Sequence, residues 1–127
     1  MKALILLLLP FPALACDWTA RESVDPMTDA RICWVDSRAA EISFYIQGND
    51  RPRVIAGSAY SRPAVTVRVD DNPPIRMHSD VTAALDALLP QIQTGARIRT
   101  LVEDYPTWRE GDAPICNLPA LLASCAP

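Results

Sequence analysis

Four cysteines, at positions 16, 33, 116 and 125, constrain this fold more than any other feature of the sequence. Their separations are 17, 83 and 9 residues, so two lie near each end of the chain beyond residue 15. No pair forms a C-x-x-C, and His78 is the one histidine. A structural zinc site needs four ligands of these types at close spacing, and a redox dithiol needs its two sulfurs adjacent. Neither pattern is present, and no metal or cofactor is expected. An even number of cysteines suits two structural disulfides in an oxidising compartment.

The first fifteen residues, "MKALILLLLPFPALA", place Lys2 before an apolar run and end on Ala13-Leu14-Ala15. A basic start, a short apolar stretch and an A-x-A site predict a secretory signal peptide over residues 1–15. The apolar run is far shorter than the roughly 20 residues a membrane-spanning helix needs, and Pro10 and Pro12 would break a buried helix. Cleavage after Ala15 puts Cys16 first, where a lipoprotein carries its lipid. Lipidation would leave three cysteines, an odd number; a free Cys16 leaves four, enough for two bridges. The expectation is therefore a periplasmic or secreted chain, with lipid anchoring through Cys16 as the alternative. Residues 16–127 suit one domain, with no membrane span.

The only lysine lies in that leader. The eleven arginines beyond it stand against fifteen carboxylates, a net charge of −4. They are scattered, so no basic stripe marks a nucleic-acid surface.

Hydrophobic periodicity predicts mostly strands. "DWTARES" and "ARICWVDS" flank "VDPMTD", whose Pro, Asp and Thr carry turn chemistry, and form a hairpin centred on Pro26 and Met27. In "EISFYIQ", Ile42, Phe44 and Ile46 share one face, the period of a half-buried strand. "RVIAGSAY" reads as a strand weakened at Gly57. "AVTVRVD" points Val65, Val67 and Val69 inward, and "ARIRTLVE" aligns Ile98, Thr100 and Val102. Ser79 and Asp80 can cap a helix over 79–90, with Val81, Leu85, Leu88 and Ile92 at helical spacing; Pro90 should end or kink it after Leu89. Residues 104–114 read as a Pro- and Gly-rich loop. "ICNLPALLASC" reads as a short strand and a C-terminal helical turn. The outcome is an α+β, sandwich-like domain of about six antiparallel strands.

Geometry bears on which cysteines pair. A hairpin centred on Pro26 and Met27 sets Cys33 opposite Ala20, about 13 Å along the strand from Cys16, whereas bridged Cα atoms lie within about 7 Å. A helical segment would hold Cys116 and Cys125 about 13 Å apart. The expected bridges are therefore Cys16–Cys125 and Cys33–Cys116, tying the two ends together. A distorted hairpin or a broken terminal turn would restore nearest-neighbour pairing.

No catalytic constellation stands out. His78, Ser79 and Asp80 are adjacent, and a triad needs base, nucleophile and orienting group arranged in space, not in sequence. Asp70 and Asp71 read as a solvated turn; a calcium site or an acid–base pair is the sharper alternative. Trp18 and Trp34 read as core. The loop "EDYPTWREGDAP" is the candidate contact surface through Tyr105, Trp108 and Arg109, since aromatic and arginine side chains dominate interaction hot spots.

The run from Trp18 through Asp25-Pro26-Met27-Thr28-Asp29, with "VTVRVD" and a Leu-rich end closing on Cys125, resembles small exported bacterial proteins, among them the type VI secretion accessory proteins TagO and VasI. The likeness covers the two ends and the middle strand; Cys33 and Cys116 have no matching place in it. It implies a periplasmic β-rich accessory domain and transfers no site. The functional expectation is a non-catalytic binding or accessory protein with an unidentified protein or cell-envelope partner. A small hydrolase using His78 is the rival from another class.

Overall fold

A computed structural model describes residues 16–56, 62–78 and 85–125. The expected signal peptide, the Gly57 irregularity and the first turn of the expected helix, with its cap, lie outside the described residues. The fold is α+β, with two four-stranded antiparallel sheets and two helices. The first sheet is a meander of β1 (Thr19–Val24), β2 (Arg31–Ser37), β3 (Ile42–Gln47) and β4 (Arg53–Ile55). The second contains β5 (Ala64–Val69), β6 (Ile75–His78), β7 (Arg97–Asp104) and β8 (Thr107–Pro114), in the order β6-β5-β7-β8. Between β6 and β7 comes α1 (Leu85–Thr94), and α2 (Leu118–Cys125) ends the described chain. No helix among the described residues is long and apolar enough to cross a membrane.

One apolar cluster joins the inner faces of both sheets to both helices. Val35, Phe44 and Val54 come from the first sheet, Val65, Val67, Val69, Ile98 and Val102 from the second, and Leu88, Ile92, Leu118 and Leu122 from the helices. Alternation in β3, β5 and β7 therefore assigns the inward faces as the sequence predicts. The expected six strands become eight. β6 adds Met77 to the core from a four-residue strand, and β8 occupies the segment expected to be a loop. The expected strand at Ile115 is instead the turn before α2.

The first hairpin forms, with its register shifted. Val24 pairs with Arg31 and Cys33 faces Glu22, not Ala20. The turn is wider than the proline suggests: Asp25 N–H bonds the carbonyl of Ala30 at 2.8 Å, and Asp29 adopts φ 57°. The Asp25 carboxylate accepts from Met27 N–H at 2.8 Å, and the Thr28 hydroxyl from Ala30 N–H at 3.3 Å. The centre of the turn thus falls between Met27 and Thr28. Helix α1 runs on past Pro90 to Thr94, so of the two expected outcomes, an end or a kink after Leu89, the end does not occur. Pro90 and Asp86, whose carbonyl loses its donor to the proline, are both exposed. Water can take that carbonyl, so the break costs little there.

The bridges are Cys16–Cys116 and Cys33–Cys125, with Cα–Cα distances of 5.6 and 5.8 Å. The two chain ends are tied together as expected, but the partners are exchanged. The reason is the direction of α2. Trp18 Nε1 donates to the carbonyl of Pro114 at 3.0 Å, which holds residues 16–18 beside the entrance to α2 and so beside Cys116. α2 then packs across β2, bringing its last residue to Cys33. Among the described residues no cysteine is free. Cys33 and Cys125 are buried, whereas Cys16 and Cys116 are exposed. Mild reduction should therefore open Cys16–Cys116 first. Alkylation and peptide mapping during a dithiothreitol titration would show this order; prior loss of Cys33–Cys125 would contradict it.

A polar clasp holds the segment leading into β1 to the turn between β2 and β3. The Asp17 carboxylate accepts from the Ser37 hydroxyl at 2.7 Å and from Ala39 N–H at 2.9 Å. These bonds hold its pKa below the ordinary aspartate value, the Ala39 N–H contributing most and Ser37 next. A folded-state pKa below the unfolded one adds stability above the unfolded value, about 4, which is lost as pH falls through the folded value. Asp17→Asn should therefore lower the urea midpoint at neutral pH and converge on the wild type in strong acid. An equal deficit at both pH values would rule out the carboxylate charge as the cause.

Candidate functional site

Residues 104–114 are a hairpin limb, not a loop. Pro106 lies in the two-residue turn with Tyr105, and β8 pairs with β7 along its length, from Asp104↔Thr107 to Arg97↔Pro114. This register separates the expected contact residues. Tyr105 is 91% exposed at the turn. Trp108, 65% exposed, faces outward opposite Glu103. Arg109 lies opposite the buried Val102, on the inward side, with Nε 3.7 Å from the Glu41 carboxylate. Neighbouring strand residues point to opposite faces, so Trp108 is exposed on the outer face, Tyr105 at the turn, and Arg109 on the other side.

The tryptophans expected in the core also divide. Trp18 is buried against Phe44, with ring centroids 5.9 Å apart. Trp34 lies on the outer face of the first sheet, where it meets its cross-strand partner Tyr45 at 4.6 Å. Arg21 covers the Trp34 ring at 5.9 Å while its Nε donates to Asp36 at 2.8 Å.

His78 and the acidic pair are not brought together. His78 pairs with Ala64 at one end of β5, and Asp70 follows Val69 at the other. Six residues of strand separate them by about 20 Å. The Asp70 carboxylate is committed to structure. With its backbone at φ 50°, it accepts from Arg97 N–H at 2.9 Å and from Ala96 N–H. It thereby ties the end of β5 to the start of β7. Among the described residues no three His, Cys, Asp or Glu side chains gather as a metal-ligand set.

The outer face of the second sheet carries an open groove of about 480 Å³. Thr66 and Arg68 of β5, Arg99 and Leu101 of β7, and Glu110 and Asp112 of β8 line it, with Pro74 at its margin. Arg68 and Arg99 stand directly opposite each other in the ladder. Both guanidiniums are held by one turn: Arg68 Nε donates to the Asn72 carbonyl at 3.0 Å, and Arg99 to the Asp70 carbonyl at 3.3 Å. Asp112 pairs with Arg97 at 2.6 Å. That hydrogen bond is the main cause of its lowered pKa, with smaller attraction from the charges of Arg97 and Arg99.

Sequence reasoning missed this groove. The alternation in "VTVRVD" and "ARIRTLVE" marks Arg68 and Arg99 as outward. Their juxtaposition depends on β5 pairing with β7 across the intervening β6 and α1, which no local pattern records. No protein-family model, curated protein or solved structure matches the chain.

Proposed function

We propose that this chain is a small exported protein, periplasmic or secreted, that works by binding as an accessory component and not by catalysis. The observation that carries the reading is the pair of disulfides, each joining one end of the domain to the other. Bonds of this kind persist in oxidising compartments and are rare where thiols are kept reduced. The leader pattern ahead of Cys16 points to the same compartment. The distance between His78 and Asp70 and the structural commitment of the Asp70 carboxylate favour binding over hydrolysis. The resemblance to type VI secretion accessory proteins supplies one cell-envelope context for a protein partner.

Cell fractionation with intact-mass measurement tests export. The expected product begins at Cys16, lacks the four hydrogens of two closed bridges and carries no lipid. A cytosolic chain retaining Met1, or a diacylglyceryl group on Cys16, would overturn the reading.

Tyr105 and Trp108 are the contact residues we assign to the protein partner. Trp108→Ala removes an exposed side chain and should change unfolding free energy by only about 0.5 kcal/mol or less. The same substitution should abolish cross-linking from a photoreactive group at Tyr105 to any envelope protein. Undiminished cross-linking would remove this face as the contact.

A further inference from the structure

We infer that the groove on the second sheet binds a zwitterionic amino acid or short peptide, its carboxylate between Arg68 and Arg99 and its ammonium at Glu110. This goes beyond the exported-accessory reading and depends neither on export nor on the Trp108 surface.

Like charges directly opposite in a ladder repel, yet Arg68 faces Arg99 across β5 and β7. Neither makes a close ion pair among the described residues; Asp112, opposite Arg99 in the ladder, feels its charge but is bonded to Arg97. Their neighbours on the same face do make such pairs: Arg76 with Glu103 at 2.8 Å, and Arg97 with Asp112. The carbonyls of residues 70–72 fix the two guanidiniums without neutralising them. A guanidinium has five donors. Arg68 engages Nε and one terminal nitrogen, and Arg99 only one terminal nitrogen. The remaining N–H groups stay available for a carboxylate, the geometry guanidinium binds best.

The opposite wall selects which anion fits. Glu110, opposite Leu101 and so diagonal to Arg99, makes no ion pair or side-chain hydrogen bond among the described residues. With Asp112 committed to Arg97, the lining presents two guanidiniums and the single uncommitted carboxylate of Glu110. A dianion such as phosphate would meet repulsion from Glu110, whereas a monocarboxylate bearing an ammonium satisfies both walls. Diagonal neighbours lie about 7–8 Å apart, a span that a carboxylate and an ammonium from one small ligand can bridge with the side chains leaning in. Leu101 and Pro74 offer apolar surface to an aliphatic side chain, and the volume falls within the range of small-ligand sites.

Proton–nitrogen NMR spectra of the oxidised chain, titrated with L-alanine, L-alanyl-L-alanine, acetate and inorganic phosphate, test the assignment. Saturable shifts at the amides of Arg68, Leu101 and Gly111 are expected with alanine or dialanine, and the tighter probe identifies the free amino acid or the peptide as the source. Acetate should bind several-fold more weakly, and phosphate should not saturate. Arg99→Gln should weaken binding about tenfold, the equivalent of one charge-assisted hydrogen bond. Glu110→Gln breaks no contact within the fold and should bring dialanine down to the level of acetate. Arg76→Gln should bind as wild type. Absence of saturable shifts with both amino-bearing probes would overturn the inference. So would phosphate binding as tightly as dialanine, or unchanged affinity in a folded Glu110→Gln.

Discussion

Removing either disulfide should destabilise the protein by about 3–4 kcal/mol, and removing both should unfold it. The bridges span 100 and 92 residues, and taken alone each would restrict the unfolded chain by about 4.6 kcal/mol in the loop-entropy account. They overlap, however. With Cys16–Cys116 closed, the shortest path from Cys33 to Cys125 runs back 17 residues, across the bridge, and forward 9. The second bond then closes a loop of roughly 26 residues, worth about 3.5 kcal/mol. Loss of both removes about 8 kcal/mol, comparable with the whole stability of a typical domain. The pairs differ in a second respect. Cys16→Ser with Cys116→Ser changes exposed positions and should show the entropic loss alone. Cys33→Ala with Cys125→Ala also opens space in the core and should cost more. Urea unfolding of the oxidised single-bridge variants measures both. A loss below about 1 kcal/mol for either pair would contradict the overlapping-loop argument.

The bridging pattern shows where sequence reasoning reached and where it stopped. Strand period and helical spacing place Phe44, Val67, Ile98 and Leu88 in the core because each has a side chain large enough to register in the alternation. The same test fails on β8. Its inward positions are Arg109, Gly111 and Ala113, so hardly any apolar side chain marks the buried face. The residues that signalled a loop have other roles: Pro106 sits in the turn, Pro114 at the end of the strand, and Gly111 at a contact between the sheets. A charged alternation, Glu110 and Asp112 with small residues between, was the available signal. The disulfide partners failed for a different reason. Excluding the two nearest-neighbour bonds was sound, but the choice between the remaining pairings turns on which end of α2 crosses β2. That direction is fixed by tertiary contacts, the Trp18–Pro114 hydrogen bond among them, and not by spacing. The groove was invisible for the same reason.

Gly111→Ala should be among the most damaging single substitutions, costing about 2–4 kcal/mol. Gly111 does not need glycine for its backbone conformation; it needs the absence of a side chain. A Cβ there would strike the carbonyl of Ala40 and the hydroxyl of Thr100. The carbonyl is backbone, so it cannot swing aside as a flexible side chain would. It belongs to residues 38–41, the turn joining β2 to β3, and that turn is seated on the second sheet. Asp112 N–H donates to the Ala39 carbonyl at 2.7 Å, and the buried Thr100 hydroxyl donates to that of Ala40. Overpacking of this kind costs about 1–3 kcal/mol, and displacing the turn forfeits a buried hydrogen bond worth about 1 kcal/mol more. Thr100→Val keeps nearly the same shape and removes only the hydroxyl, so it should cost about 1–2 kcal/mol through the unsatisfied Ala40 carbonyl. Because both substitutions act on that one carbonyl, the double variant should lose less than the sum of the singles. Thermal or urea unfolding of the four proteins closes the cycle. Strict additivity, or a Gly111→Ala variant within about 0.5 kcal/mol of wild type, would mean that the turn does not clasp the two sheets at this point.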